Sequence, residues 1–342
     1  MLYRVYSISH VARKRDGAYK NMKDHFTLVV PWKSTKDWTG LFVEYFTGLL
    51  EHHADVSLIQ GPPTQAGRLG WLVPKLDISE RLLESASKGE IGNKILLLDP
   101  NYVNIRALRA MTGAHTKIFT LVNGGAFQDH DIETQALPEY REAMKSYELG
   151  FYSLCDRIIT PSLYSRNIFL EAYPSLERKT SSIPFPLRAF PDLRKEFSTK
   201  SGLISVGRTC FEKGSDILAN CDDVRKNELK EPSDYLGDVA KALAIVIPAR
   251  AELFGYCSME ALQCGTLPIV PKGLFYSELN LPDNVRLSHP VGEETAQEIA
   301  QIWNRVCGMD QQAYETIVND ARDSLFERFA NQDARFLELL CN

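Results

Sequence analysis

Residues 244–270 read AIVIPARAELFGYCSMEALQCGTLPIV. An apolar run, AIVIP, stops at Pro248, and the short loop ARAE follows. The stretch FGYCSMEALQC then has the texture of a helix and halts at Gly265, the residue type that takes the left-handed conformation just past a helix end. A second apolar run, TLPIVPKG, follows. Strand, helix, strand at this spacing means two parallel strands, because a parallel pair needs a crossover and a helix supplies it.

The same texture extends in both directions. Upstream, FTLVVP (26–31), DVSLIQG (55–61), KILLLDP (94–100), KIFTLVNGG (117–125) and DRIITPS (156–162) read as short strands. Helical stretches separate them at 41–53, 78–88, 102–111, 140–154 and 164–173. Then SSIPFPLRAFPDL (181–193) brings three prolines and no period, and reads as a linker. A second alternating unit starts at GLISVGR (202–208), with a helix and strand at 238–248 and helices at 294–306 and 311–329. The expected division is a first Rossmann-like domain over 1–183, a linker over 184–198 and a second domain over 199–310. Helices in 311–342 are expected to pack back towards the first domain. The expected fold class is therefore α/β, with two Rossmann-like domains facing a cleft at the strand C-terminal ends, where such sheets bind ligands.

Bulk properties narrow the function. The chain has 342 residues, of which 44% are hydrophobic and 24% charged, with a formal net charge of −5. That composition is ordinary for a soluble protein. The negative balance argues against a surface that grips nucleic acid everywhere, though it allows a local basic groove. No apolar run is long enough for a transmembrane helix, and MLYRVYSISHVARKRDG lacks the apolar core of a signal peptide. Seven scattered cysteines, with no Cys-x-x-Cys, suggest reduced thiols and a cytoplasmic setting, and no zinc site.

The decisive chemistry lies around the opening stretch. A helix starting near Phe254 or Gly255 presents unpartnered N–H groups and a positive dipole end, an anion site suited to phosphate. Glu252 stands just before it and Glu260 about two turns in. Carboxylates bind vicinal hydroxyls well, because each accepts more than one hydrogen bond. Upstream, SVGRTCFEKGSD (205–216) places Arg208 after Gly207 at a strand end and Lys213 before Gly214 and a new helix. An arginine fork and a lysine point charge at such a place suit a diphosphate. Phosphate on a helix end and hydroxyls on two carboxylates describe a nucleotide sugar. Each stretch taken alone also reads as surface charge beside a turn.

Together and in this order, Gly207-Arg208, Lys213-Gly214, Glu252, Phe254-Gly255, Glu260-Ala261 and Gly265-Thr266-Leu267-Pro268-Ile269 resemble the C-terminal half of GT-B glycosyltransferases. The likeness is to the large retaining family of the sucrose-synthase and mannosyltransferase type, with its Glu-x7-Glu motif. The resemblance implies that Arg208 and Lys213 hold the donor diphosphate, Glu252 the transferred sugar, Glu260 the ribose, and the N–H groups of Phe254 and Gly255 a phosphate. It implies a UDP-sugar donor, no cofactor, no metal where Arg, Lys and a helix end neutralise the diphosphate, and retention of anomeric configuration without a protein nucleophile. On the first domain, Asn123 stands where the family often has a histidine. His130 is read either as a polar group on the catalytic side or as a loop histidine. Gly40, with Thr39, stands before the first long helix in place of a glycine-rich loop. One departure is 217–237, which reads as a trimmed region where the family has a further strand and helix, so the second domain is expected to be small.

The resemblance implies a hydroxyl acceptor. Bacteriophage DNA α-glucosyltransferases carry similar wording: GRT followed by KG, ACGTIPV where this chain has QCGTLPIV, and a late QD matching Gln332-Asp333. That likeness implies a hydroxymethylated base in double-stranded DNA, flipped out to reach the cleft. The basic segment 11–23 and the rings of Trp32, Trp38 and Trp71 are candidates for lining such a groove, or are a solvated loop and packing residues. A glycan, lipid-linked or small-molecule acceptor is the alternative, as is an inactive nucleotide-sugar-binding module. An epimerase lacks the Glu-x7-Glu wording, and a phosphorylase needs a cofactor-lysine context that is not seen.

Overall fold

The computed structural model describes residues 24–341 apart from 35–36, 65–69, 71, 132–133, 136–137, 189–191 and 228–231. The basic segment 11–23 and Trp71 lie outside the described residues.

Six short strands build the first domain: β1 (His25–Val30), β2 (Asp55–Gln60), β3 (Lys94–Leu97), β4 (Lys117–Leu121), β5 (Arg157–Thr160) and β6 (Thr180–Ser182). They form one sheet in the order β2-β1-β3-β4-β5-β6, every pair parallel. The crossovers carry α1 (Trp38–Leu50), α2 (Leu72–Lys88), α3 (Ile105–Thr112), α4 (Arg141–Tyr152) and α5 (Leu163–Ala172). Strand side chains alternate between the two faces. Phe26, Leu28, Val30 and Leu96 share a core with Phe42, Phe46 and Leu50 of α1. Val29, Ile95, Leu97 and Ile118 share another with Ile78 and Leu82 of α2 and Leu108 of α3. Each fully buried side chain of this size contributes about 1.5–3 kcal/mol, which is why both faces are covered.

The second domain holds β7 (Leu203–Ser205), β8 (Val224–Lys226), β9 (Ala244–Val246) and β10 (Leu267–Ile269), parallel in the order β10-β9-β7-β8. Its helices are α6 (Ser215–Leu218), α7 (Pro232–Lys241), α8 (Tyr256–Gln263), α9 (Thr295–Cys307) and α10 (Gln311–Phe329). The expected α/β architecture of two parallel-sheet units is found. The chain ends in α11 (Gln332–Cys341), which returns to the first domain. Tyr45 Oη on α1 donates to Asp333 Oδ1 at 2.5 Å, and the Phe46 and Phe336 ring centroids are 5.1 Å apart. Gln332 Nε2 donates to the Pro184 carbonyl at 2.7 Å, and Lys94 Nζ to the Cys341 carbonyl at 3.0 Å.

Three local readings change. α2 begins at Leu72, earlier than residue 78, and Pro74 falls in its first turn, where a missing N–H costs nothing. The stretch 217–237 holds the three-residue β8 and the first residues of α7, so the further strand and helix are present in reduced form. The proline-rich stretch opens with Ser181 and Ser182 paired in β6.

Candidate active site at the domain junction

The site is built at the C-terminal ends of β7 and β9. Beyond β7 the backbone turns at Gly207, where φ is +97°, and delivers Arg208. The turn Phe211–Lys213 ends at Gly214, where φ is +71°. A Cβ at Gly214 would lie 2.2 Å from the Pro248 carbonyl oxygen, so only glycine lets this turn pack on the end of β9. That packing brings Lys213 to the loop before α8.

Lys213 Nζ donates to Glu252 Oε2 at 2.7 Å and to the Ala251 carbonyl at 3.2 Å. Glu252 Oε1 accepts the N–H of Gly255 at 2.9 Å and of Phe254 at 3.2 Å. The helix start is therefore closed by the protein's own carboxylate, on the two N–H groups that the sequence reading assigns to phosphate. Gly255 caps α8 in the left-handed conformation at φ +71°, and a Cβ there would meet the Phe275 ring at 2.7 Å. Burial pushes the Glu252 carboxyl up, but the Lys213 ammonium and the two N–H donors more than offset it and hold it below its ordinary range. Burial likewise pushes Lys213 down, and Glu252 more than reverses this. The pair is ionised at neutral pH, with side chains only 17% and 18% exposed.

Arg208 forms an ion pair with Glu212. Its side chain is 61% exposed, so the pair contributes about 0–1 kcal/mol and leaves most of the guanidinium donors open to an anion. Glu212 itself is buried, and its carbonyl accepts the Arg250 N–H at 2.8 Å, tying the two cation-bearing loops together. Arg250 grips Asp216 with two bonds of 2.7 and 2.8 Å and lies 3.8 Å over the exposed Phe211 ring.

Glu260 is the fifth residue of α8, a little over one turn in and closer to the helix start than the sequence reading places it. Burial raises its carboxyl to about 7, opposed by the Tyr235 hydroxyl and by Arg188. The Tyr235 hydroxyl is buried beside Cys257 and Glu260. The Tyr276 hydroxyl is buried beside Glu252. Neither tyrosine stands out in the sequence, where each reads as one aromatic among many.

The first domain contributes unevenly. His130 lies in the turns after β4, its ring centroid 6.3 Å from Phe211, and it adds to the effect of burial in lowering the His289 imidazole of the second domain. His130 thus meets the Phe211 loop of the second domain. Asp129, beside it, pairs with Arg141. The sequence reading takes the chain to have no Asp-x-Asp motif, and Asp129-His130-Asp131 corrects it; among the described residues no three His, Cys, Asp or Glu side chains come together to hold a metal ion. Asn123 Nδ2 donates to the Leu98 carbonyl and is held inside the first domain. Thr39 and Gly40 fall inside the first turn of α1, not before it. Asp37 closes that helix start, accepting from Thr39 N at 2.9 Å, Thr39 Oγ1 at 2.6 Å and Trp32 Nε1 at 2.8 Å. Trp32 and Trp38 stack edge to face at 5.4 Å in the same place. Gly207, Arg208, Lys213, Glu252, Phe254, Gly255 and Glu260 are brought together; Gly40 and Asn123 are bound into networks of the first domain.

No family model and no curated protein matches the chain. Solved structures do. Sucrose-phosphate synthase from Thermosynechococcus elongatus is 15% identical with a TM-score of 0.68, the match covering 92% of this chain and 98% of that one. HepE from Anabaena, solved in complex with UDP-glucose, is 17% identical with a TM-score of 0.61, covering 93% and 99%. WaaG, a glycosyltransferase involved in lipopolysaccharide biosynthesis, is 10% identical with a TM-score of 0.61, covering 92% and 99%. At these identities the likeness is one of fold, and it spans nearly the whole of each chain. The chain has the two-domain α/β fold of the GT-B glycosyltransferases.

Proposed function

We propose that the chain is a retaining glycosyltransferase, moving a hexosyl or pentosyl group from a UDP-sugar to an acceptor hydroxyl without a metal ion. The observation that carries this reading is the Lys213–Glu252 pair, locked to the start of α8. Three donors hold Glu252: an ammonium and two backbone N–H groups. Its Oε2 has one partner among them, so a lone pair remains for a sugar hydroxyl. Lys213 and the exposed Arg208 guanidinium then face the diphosphate. As the bond from the anomeric carbon to the phosphate oxygen breaks, charge builds on that oxygen, and two fixed cations stabilise it where it develops. The fully ionised pair keeps Lys213 cationic at neutral pH. Glu260 meets the ribose, and Tyr235 stands ready to complete its hydrogen bonding. With no protein nucleophile assigned, the acceptor hydroxyl attacks the anomeric carbon from the side the phosphate leaves and passes its proton to the departing phosphate oxygen, with retention.

The acceptor proposed first is a hydroxymethylated base of double-stranded DNA, supported by the GRT, KG, CGT and QD wording of the chain. A glycan or other small acceptor is the second reading, favoured by neighbours in fold such as sucrose-phosphate synthase and WaaG. Among the described residues no helix is long and apolar enough to cross a membrane.

The test is incubation of the purified chain with a panel of UDP-sugars, in chelator, against hydroxymethylated duplex DNA and a glycan library, with products read by mass spectrometry. A mass gain of one sugar on the base supports the DNA acceptor, and a gain on a glycan assigns the second reading. The product's anomeric configuration, read by NMR, tests retention. No gain on any acceptor and no UDP release overturns the proposal.

A further inference from the structure

Glu252 is followed by two apolar residues that are buried in different cores. Leu253 and Phe254 are each 5% exposed. Phe254 belongs to the core that runs from the α1 face of the first domain through the linker into the second domain, its ring 5.5 Å from Phe185 and 5.8 Å from Phe275. Leu253 belongs to the other core, with Phe127, Tyr152, Phe169 and Tyr173. Among the described residues it is the one buried member of that core from beyond Leu176. The loop carrying Glu252 therefore has one apolar anchor, Leu253, in a core otherwise built by the first domain, and the next, Phe254, in the core that joins the two domains.

The Leu253 backbone is fastened to the same place. Its carbonyl accepts the Ser162 hydroxyl at 2.9 Å, and Ser162 is the capping residue at the start of α5. Two residues on, the Tyr164 N–H donates to Glu278 Oε1 at 2.5 Å, and Glu278 pairs with Arg328 of α10. The start of α5 thus holds the second domain at two points, and the first of them is the residue next to Glu252.

We propose that Leu253 is a positioning residue: seated in the first domain, it sets the Glu252 carboxylate and the Gly255 end of α8 for transfer only while the two domains are engaged. The physical basis is covalent. Consecutive Cα atoms are about 3.8 Å apart, so withdrawing Leu253 from its core must move Glu252. Nucleotide contacts made by Arg208, Lys213 and Glu260 lie wholly in the second domain and need no such engagement. The catalytic consequence rests on the glycosyltransferase reading; the mechanical one does not.

The experiment compares wild type, Leu253→Ala, Leu253→Met and Ser162→Ala. It measures kcat for sugar transfer, UDP affinity by calorimetry, and amide exchange at Tyr164, Phe254 and Gly255. Leu253→Ala is expected to lower kcat on the order of 10- to 100-fold, the effect of an ångström-scale misplacement. UDP affinity should change by less than about threefold, the signature of an interaction made outside ground-state nucleotide binding. The amides of Phe254 and Gly255 should exchange faster, together with Tyr164. Leu253→Met should restore most of the rate, and Ser162→Ala should shift it the same way as Leu253→Ala but less. Unchanged kcat and exchange in Leu253→Ala overturns the proposal, as does equal loss of UDP binding and kcat. If Leu253→Ala does not fold, full activity with unchanged exchange in Ser162→Ala overturns it, and a lowered rate with UDP affinity retained supports it. If wild type transfers no sugar, the glycosyltransferase reading falls. Exchange alone then decides the latch: joint acceleration at Tyr164, Phe254 and Gly255 supports it, and no change overturns it.

Discussion

Lys213 Nζ lies 2.7 Å from Glu252 Oε2, across 39 residues of sequence, and the two side chains are 17% and 18% exposed. Removing the lysine leaves a mostly covered carboxylate with only two N–H partners. Lys213→Ala should lower kcat about 10²- to 10³-fold, the cost of losing one group aimed at developing charge. It should also destabilise the fold by about 1–3 kcal/mol, below the range for a fully buried broken pair because some water reaches this one. Steady-state kinetics and thermal melting check both. A variant with wild-type kcat removes Lys213 from the mechanism.

The pair also sets an acid limit. The folded state holds Glu252 below its ordinary value of 4.5, so its contribution to stability is present above 4.5 and is lost as pH falls through the lower, folded value. In Glu252→Gln that part of the acid destabilisation should be missing. Melting temperature followed from pH 6 downward reads the difference, and parallel acid profiles in the two proteins would count against an ionised pair.

Glu260 behaves in the opposite sense. Burial raises its folded value from 4.5 to about 7, so its contribution to stability is full below 4.5 and is lost as pH rises through about 7. A ribose that hydrogen-bonds the ionised carboxylate must displace that proton. UDP affinity should therefore rise with pH up to about 7, at close to tenfold per unit at the steepest, and flatten above it. Glu260→Gln should abolish the slope. Calorimetry in buffers of different ionisation heat reads the proton directly, and a pH-independent wild type would contradict the ribose role.

Gly255 tests the helix start. At φ +71° with the Phe275 ring 2.7 Å from a would-be Cβ, Gly255→Ala adds strain and a clash. The expected loss is about 1–3 kcal/mol of stability, with a larger loss of transfer because the N–H pointing at Glu252 moves. Substitution of Gly48, whose Cβ would meet nothing within 4 Å, is the control and should leave activity unchanged.

Much of this was legible in the sequence, for local reasons. AIVIP, Pro248 and Gly265 mark strand, loop and helix end through run length and backbone preference, and the β9–α8–β10 unit follows. Arg208 and Lys213 could be assigned to the same place because strand ends of a parallel sheet converge. The occupancy of the Phe254 and Gly255 N–H groups could not be foreseen. It depends on a side-chain orientation that Lys213 imposes from a distant loop. β8 was hidden because VRK has no apolar run, and its pairing with β7 is tertiary. Gly40 resembled a phosphate-loop glycine by position, but Asp37 three residues earlier is a strong helix cap and takes that role. Leu253 looked like any core leucine; which of two cores it enters is decided only when the domains meet.

The most direct measurement is sugar transfer by Glu252→Ala beside wild type, with acceptor mass as the readout and UDP affinity measured on the same preparations. A sugar-bearing product from wild type, loss of transfer by about 10²-fold or more in the variant, and retained UDP binding are predicted, because Glu252 engages the sugar and not the nucleotide. Wild-type turnover in Glu252→Ala would contradict the assignment of this carboxylate, and with it the donor site built around Lys213 and the start of α8.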